Sequence, residues 1–152
     1  MLLHLKKYTL SENEKYSVGI HNTCMDYKYY ETINKPSYAP QKKVFTVVWT
    51  FLYILMGISY VILYFSPTTF NKFFSMPVFY LQLLLNILWP FIFFKFKKIA
   101  PAFVISILLF LTVLMMTKLF FGISIILGIF QIPYLLWLAF AVKLNFDIMK
   151  LN

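Results

Sequence analysis

Residues 76–94 read MPVFYLQLLLNILWPFIFF, a run of 19 amino acids with no charged side chain and with two carboxamides one helical turn apart. A helix rises about 1.5 Å per residue, so roughly 17–25 apolar residues are needed to cross a hydrocarbon core about 30 Å thick. Three further uncharged stretches reach this length, at 44–65, 99–117 and 119–142. The sequence therefore predicts an all-α, polytopic membrane bundle with four spans.

The composition supports this interpretation. Apolar residues make up 61% of the chain and charged residues 12%, against roughly 25% charged in an average soluble domain. The alternative, in which the four stretches are buried helices of a globular core, requires polar faces that meet water. The stretches have almost none, so membrane spans are favoured.

The net charge of +9 is explained by how the lysines are distributed. With four spans, the N-terminal segment, the connection at 95–98 and the C-terminal residues share one side of the membrane, and twelve of the fourteen lysines lie there. The other side has only Lys72 and Lys118. The positive-inside rule then places both termini in the cytoplasm. Because topology accounts for the charge, no nucleic-acid partner is predicted.

Residues 1–35 form a polar, charged segment that we separate from a membrane domain at 36–152. Their longest uncharged run is ten residues, which is too short to span a bilayer, and they lack the apolar core of a signal peptide. The residue types of metal ligands occur at His4, His21, Cys24 and Asp26, but their spacing matches no familiar site. An ordinary polar segment without a metal is the favoured interpretation.

Two spans place polar and aromatic side chains on one helical face. Gln82 and Asn86 are four residues apart and Trp89 follows three later, so all three point the same way, into the bundle. Two interpretations of Asn86 stay open, an interhelical hydrogen bond contributing about 0.6 kcal/mol or a contact with a ligand. In the fourth span Tyr134, Trp137 and Ala141 share a face.

The residue types favour a binding protein over an enzyme. The sequence contains no Ser/His/acid set, no glycine-rich phosphate loop and no acidic residue within a predicted span. Inward-facing Trp, Tyr, Asn and Gln side chains instead suit a flat, apolar ligand with a few polar edges.

Four segments resemble, in order, the motifs of one family. Residues 35–40 (KPSYAP) are similar to K-P-S-W-x-P-P, and 48–57 (VWTFLYILMG) to V-W-x-x-L-Y-x-x-M-G. Residues 82–94 (QLLLNILWPFIFF) are similar to Q-L-x-L-N-x-x-W-P-x-I-F-F, and 133–145 to P-Y-L-x-W-x-x-F-A followed by L-N. These are the motifs of the TspO/MBR family of translocator proteins and tryptophan-rich sensory proteins.

The resemblance implies a five-helix membrane bundle, often dimeric, whose pocket binds porphyrins and benzodiazepine-like ligands. A porphyrin or haem-type tetrapyrrole is therefore the expected ligand, with no required cofactor, and the expected partners are the lipid bilayer and a second copy of the chain. The expected location is a bacterial cell membrane. The family's pocket residues fall on Trp49, Asn86 and Trp137. The complete predicted binding set is Tyr29, Tyr30, Pro36, Ser37, Trp49, Tyr53, Gln82, Asn86, Trp89, Tyr134, Trp137 and Ala141.

The sequence also departs from the family pattern. A charged segment stands where the first family helix should precede Tyr29 and Tyr30, so the four spans correspond to family helices two to five. Phe146 replaces a tyrosine of the family's sterol segment, and sterol binding is not predicted. Three functions remain open: tetrapyrrole binding for transport, sensing or turnover; a scaffold without a competent pocket; and light-dependent porphyrin degradation.

Overall fold

A computed structural model describes residues 27–152 of the chain and shows only helices, turns and loops there. Four helices are long and apolar enough to cross a membrane, which confirms the predicted all-α membrane bundle. The segment before residue 27, including His4, His21, Cys24 and Asp26, lies outside the described residues. The helices are α1 (Tyr27–Thr32), α2 (Lys42–Phe65), α3 (Phe70–Pro90), α4 (Ile99–Phe121) and α5 (Ile125–Leu151), and a π-helical turn (Phe91–Lys95) extends α3.

The helix boundaries differ from the predicted spans near Lys118. This lysine lies inside α4, where a cation near a helix C-terminus is favourable and a long side chain can reach the membrane surface. The chain turns after Phe121, with the Gly122 N–H donating to the Lys118 carbonyl, and α5 begins at Ile125. α5 also continues to Leu151, beyond residue 142, because its buried face includes Leu144 and Ile148.

The turn before α3 explains why this helix begins earlier than predicted. Thr69 is the N-cap, and its hydroxyl accepts a hydrogen bond from the Lys72 backbone N–H at 3.3 Å. Such a cap satisfies one of the unpaired donors at a helix start. Lys72 also donates through Nζ to the Tyr64 carbonyl, which joins the start of α3 to the end of α2.

The main core lies between α4 and its neighbours. α4 packs against both α3 and α5, whereas α2 packs against α5. Gly128 lets the start of α5 pack closely against the end of α4, because a Cβ at this position would lie 2.3 Å from the Phe121 ring. The buried core residues are Leu52, Met56, Leu63, Phe79, Leu109, Val113, Met116, Phe120, Leu127, Tyr134 and Leu138.

A second apolar cluster lies at one end of the bundle, where α1 meets the π-helical turn. Asn34 donates through its backbone N–H to Asn152 Oδ1 at 2.9 Å, and the Tyr29 hydroxyl donates to the Lys97 carbonyl at 3.3 Å. Residues 33–41, the 95–98 connection and the end of α5 therefore meet. We call this the lysine end of the bundle, and residues 66–69 and 122–124 form the opposite end.

Pro90 explains the π-helical turn. Proline has no N–H to donate and clashes with the preceding helical turn, so the hydrogen-bond ladder changes at this position. The Phe96 N–H donates to the Phe91 carbonyl at 3.0 Å, a bond spanning five residues. The turn places Phe93 and Phe94 in the second cluster, where both are buried.

Candidate functional site

A cavity lies among the long helices at the lysine end. Its empty volume is about 550 Å³ when the open mouth is included. The interior is narrow, and the volume open to the centre of a water molecule is only about 30 Å³. The chain has three tryptophans, and all of them line this cavity. The lining residues are Tyr30, Phe45, Trp49, Asn86, Trp89, Phe93, Phe94, Ser106, Leu109, Trp137, Leu138, Ala141, Leu144, Asn145 and Ile148.

Aromatic rings form much of the cavity wall. Trp89 stacks on Phe93 with ring centroids 5.2 Å apart and an interplanar angle of 16°. Phe45 meets Trp137 edge to face at 5.7 Å. The cavity wall is therefore built largely from the faces and edges of aromatic rings that pack on one another.

Three polar atoms of lining side chains are buried and have no hydrogen-bond partner within the described part of the chain. They are the indole Nε1 atoms of Trp89 and Trp137 and the Oδ1 atom of Asn145. An unpaired polar atom in a buried setting costs about 1–3 kcal/mol. The lining side chains of the described residues therefore include two donors and one acceptor that are not yet paired.

A hydrogen-bond network connects α3 to α5 behind the cavity. The Tyr134 hydroxyl accepts from Asn86 Nδ2 at 2.8 Å and donates to Gln82 Oε1 at 2.9 Å. Gln82 Nε2 donates to the Met56 sulfur at 3.6 Å. The network orients the Asn86 amide, and the Tyr53 hydroxyl makes only a long contact of 3.5 Å with Asn86 Oδ1.

Asn86 bears on both interpretations that the sequence left open: the interhelical hydrogen bond is confirmed, and contact with a ligand stays a prediction. It makes the interhelical hydrogen bond to Tyr134, and it also lines the cavity. The predicted inward direction of Gln82 and Asn86 is confirmed, since both are buried. On the face shared by these residues, Gln82 and Asn86 take part in the hydrogen-bond network, and Asn86 and Trp89 line the cavity.

The structure brings six members of the predicted binding set into the lining: Tyr30, Trp49, Asn86, Trp89, Trp137 and Ala141. Gln82 and Tyr134 lie behind it in the network.

The other four predicted residues lie further out. Tyr53 is 48% exposed, with its ring 5.7 Å from that of Trp49. Tyr29 packs against Phe93 with centroids 6.0 Å apart. Pro36 and Ser37 belong to the 33–41 loop and are not among the lining residues, although the Pro36 carbonyl closes a turn there.

The binding set predicted from the sequence omitted several lining residues, notably Phe45, Phe93 and Asn145. Asn145 follows Ala141 by four residues, so helical periodicity alone would have placed it on the face of Trp137. Phe93 lies within the segment that resembles a family motif. Phe45 lies four residues before Trp49, so the same periodicity would have placed it on the face of that tryptophan.

The 33–41 loop is attached to α5 by Tyr38. Its hydroxyl donates to an Asp147 carboxylate oxygen, and this hydrogen bond, with burial and the adjacent negative charge, raises the pKa of Tyr38 to about 12. The hydroxyl therefore stays protonated, and able to donate, throughout the physiological range. Nearby, burial raises the pKa of Tyr30, whose hydroxyl donates to the Pro40 carbonyl.

Comparison with known proteins identifies the family. The family model described as the TspO/MBR family matches residues 15–151. The chain belongs to the TspO/MBR family. Together with the four apolar helices, this membership makes it an integral membrane protein of the translocator and tryptophan-rich sensory protein group.

Its relatives include bacterial and animal proteins. Protein CrtK of Rhodobacter capsulatus is 31% identical over 125 residues, covering 82% of this chain and 78% of the relative. The tryptophan-rich sensory protein of Cereibacter sphaeroides is also 31% identical, with 82% and 77% covered. The human translocator protein is 30% identical over 127 residues, with 82% and 75% covered.

Proposed function

We propose that this chain binds a porphyrin or haem-type tetrapyrrole in the cavity at the lysine end, for transport, sensing or turnover of that ligand. One observation carries the proposal: all three tryptophans line one apolar cavity, and two of their indole N–H groups are buried without a hydrogen-bond partner among residues 27–152. The macrocycle of a tetrapyrrole is flat and largely apolar, so it would stack on the aromatic rings, and its pyrrole nitrogens could accept from indole N–H groups.

The narrow interior requires that the cavity widen when the ligand binds. Only about 30 Å³ is now available to the centres of water-sized molecules, so aromatic side chains must move apart. Phe45 and Trp49 are both on α2, which packs chiefly against α5. Displacement of the Trp49 end of α2 away from α3 would open the space between Trp49 and Asn86, and the long Tyr53–Asn86 contact of 3.5 Å would oppose this only weakly. The Gln82–Met56 and Lys72–Tyr64 bonds would keep the rest of α2 on α3.

We further propose that the lysine end faces the cytoplasm of a bacterial cell, in accordance with the positive-inside rule. In support, the lysines of the 33–41 loop, the 95–98 connection and the end of α5 meet at this end, while Lys72 and Lys118 lie toward the opposite one. A homodimer is proposed from family membership alone, and light scattering of the purified chain in detergent would test it.

The binding proposal is tested by titrating protoporphyrin IX into the full chain in nonionic detergent. Because all three tryptophans line the cavity, intrinsic fluorescence reports on this site, and the porphyrin absorbance band gives a second readout. We expect saturable quenching by the parent protein. Asn86→Ala and Trp137→Phe should each weaken binding by about tenfold, which corresponds to about 1.4 kcal/mol.

Ser59→Ala provides the matched control. Ser59 accepts an interhelical hydrogen bond from Gln131 at 2.8 Å, and neither residue lines the cavity. This variant loses a buried polar contact comparable to that of Asn86 and should bind porphyrin as the parent does. Binding that is unchanged in both Asn86→Ala and Trp137→Phe would overturn the assignment. Absence of binding by the parent would favour the scaffold function.

A further inference from the structure

The cavity cannot accommodate the ionised groups of its proposed ligand. Haem-type porphyrins carry carboxylates, but no cavity-lining residue among those the structure describes has a charged side chain. Transfer of a carboxylate into such surroundings is strongly unfavourable unless a cation pairs with it. The carboxylates must therefore lie outside the cavity, where cationic side chains can reach them.

Three lysines at the lysine end are each held over a tyrosine ring. Lys35 Nζ lies 4.6 Å from the centroid of Tyr30. At the other two sites, the ammonium of Lys97 lies 5.5 Å from the Tyr29 ring, and that of Lys143 lies 4.7 Å from the Tyr38 ring. We call Lys35, Lys97 and Lys143 the lysine collar. The attraction between an ammonium and a ring face restricts each side chain to a defined region.

Each ring of the collar also connects to the cavity. Tyr30 is itself a lining residue, and Tyr29 packs against Phe93, which is another. The Tyr38 ring lies 6.1 Å from Phe140, whose ring lies 5.4 Å from that of Trp137. Each ammonium group is therefore connected to a lining residue through no more than two intervening aromatic rings.

The charge balance around the collar favours an anion. Glu31 and Asp147 are the acidic residues within 27–152, and Asp147 accepts a hydrogen bond from Tyr38. The same end of the bundle also has Lys95, Lys98 and Lys150. A carboxylate that approaches this end meets an excess of positive charge.

We propose that the lysine collar is the subsite for the carboxylates of the tetrapyrrole, while the macrocycle occupies the cavity. The inference rests on the proposed function and goes beyond it by dividing the ligand between two sites. Charge-assisted hydrogen bonds from ammonium to carboxylate are stronger than neutral ones. They orient the macrocycle with its acidic edge toward the lysine end.

The test compares mesoporphyrin IX, which has two carboxylates, with its uncharged dimethyl ester. Both are titrated into the full chain in nonionic detergent, with tryptophan quenching as the readout. At about 0.1 M salt we expect the diacid to bind about tenfold more tightly than the ester, and the difference should shrink at about 1 M salt because charges are then screened. Lys35→Gln and Lys143→Gln should each lower the affinity for the diacid about two- to fivefold and leave the affinity for the ester unchanged.

Lys118→Gln is the matched control, since it removes the same charge from an exposed position toward the opposite end of the bundle. It should change neither affinity. If the parent binds diacid and ester with equal affinity, the proposed carboxylate subsite is refuted and the proposed tetrapyrrole binding stands. If the parent binds neither, both proposals fail. If a substitution in the collar lowers the affinity for diacid and ester equally, its effect comes from a change in the folded structure, and the carboxylate subsite is refuted.

Anionic lipid headgroups present a similar charge to the collar, and a second arm distinguishes them. The same titrations in nanodiscs of phosphatidylcholine, with and without phosphatidylglycerol, should show the diacid preference in both. A lysine effect that appears only with the anionic lipid would assign the collar to the membrane surface and overturn the carboxylate subsite.

Discussion

Tyr134→Phe is the substitution that tests the buried network most directly. It removes one hydroxyl from a side chain that is 1% exposed and leaves the ring in place. The lost hydroxyl accepts from Asn86 Nδ2 at 2.8 Å and donates to Gln82 Oε1 at 2.9 Å, so two buried polar atoms lose their partner. We expect the variant to fold with reduced stability and with a less restricted Asn86 amide.

The size of the effect follows from the two bonds. Interhelical hydrogen bonds in membrane proteins contribute about 0.6 kcal/mol on average and about 1.7 kcal/mol at most. Two of them give an expected decrease of about 1–3 kcal/mol in the free energy of unfolding. A double-mutant cycle that combines Tyr134→Phe with Gln82→Leu should show that the two decreases in stability are not additive, because either substitution removes the same Tyr134–Gln82 hydrogen bond.

The assay is reversible unfolding of the purified chain in mixed micelles with increasing SDS, followed by far-ultraviolet circular dichroism. Tyr80→Phe is the matched control, since Tyr80 is 54% exposed and its hydroxyl forms one hydrogen bond within the described residues, with that of Tyr60 at 3.1 Å. Its expected effect is below about 0.5 kcal/mol. If Tyr134→Phe and Tyr80→Phe lower stability equally, the network does not stabilise the bundle and the reasoning is refuted.

Three further substitutions are expected to give distinct results in the same unfolding assay. Gly57→Ala should preserve or raise stability, by up to about 1 kcal/mol, because no atom of residues 27–152 lies within 4 Å of the added methyl and alanine favours a helix. Gly128→Ala should lower it by about 1–3 kcal/mol, since the methyl would lie 2.3 Å from the Phe121 ring; unchanged stability would show that this ring moves aside freely. Ser59→Ala should cost about 1 kcal/mol, because Gln131 loses its bond to Ser59 and its Oε1 has no partner within the described part of the chain; a neutral result would contradict this bond.

Periodicity and charge were sufficient to predict most of the architecture. Uncharged stretches of spanning length predict the four helices because the bilayer imposes a minimum length on any segment that crosses it. The face containing Gln82, Asn86 and Trp89 follows from the 3.6-residue repeat, and burial of the two carboxamides confirms it. Helix ends were less predictable, since Lys118 lies within α4 where an interruption was expected.

The number of spans, the shared end of most lysines and the inward faces could be predicted from the sequence, because each depends on spacing along a single helix. Which faces meet is a property of the packed bundle: Gln82 and Tyr134 lie behind the cavity, Tyr53 lies near its outer side, and Asn145 lines it. Periodicity gives the direction of a side chain from its own helix axis, whereas its partners depend on how neighbouring helices are rotated and packed. That packing is set by the shapes of many side chains together, so no single segment specifies it.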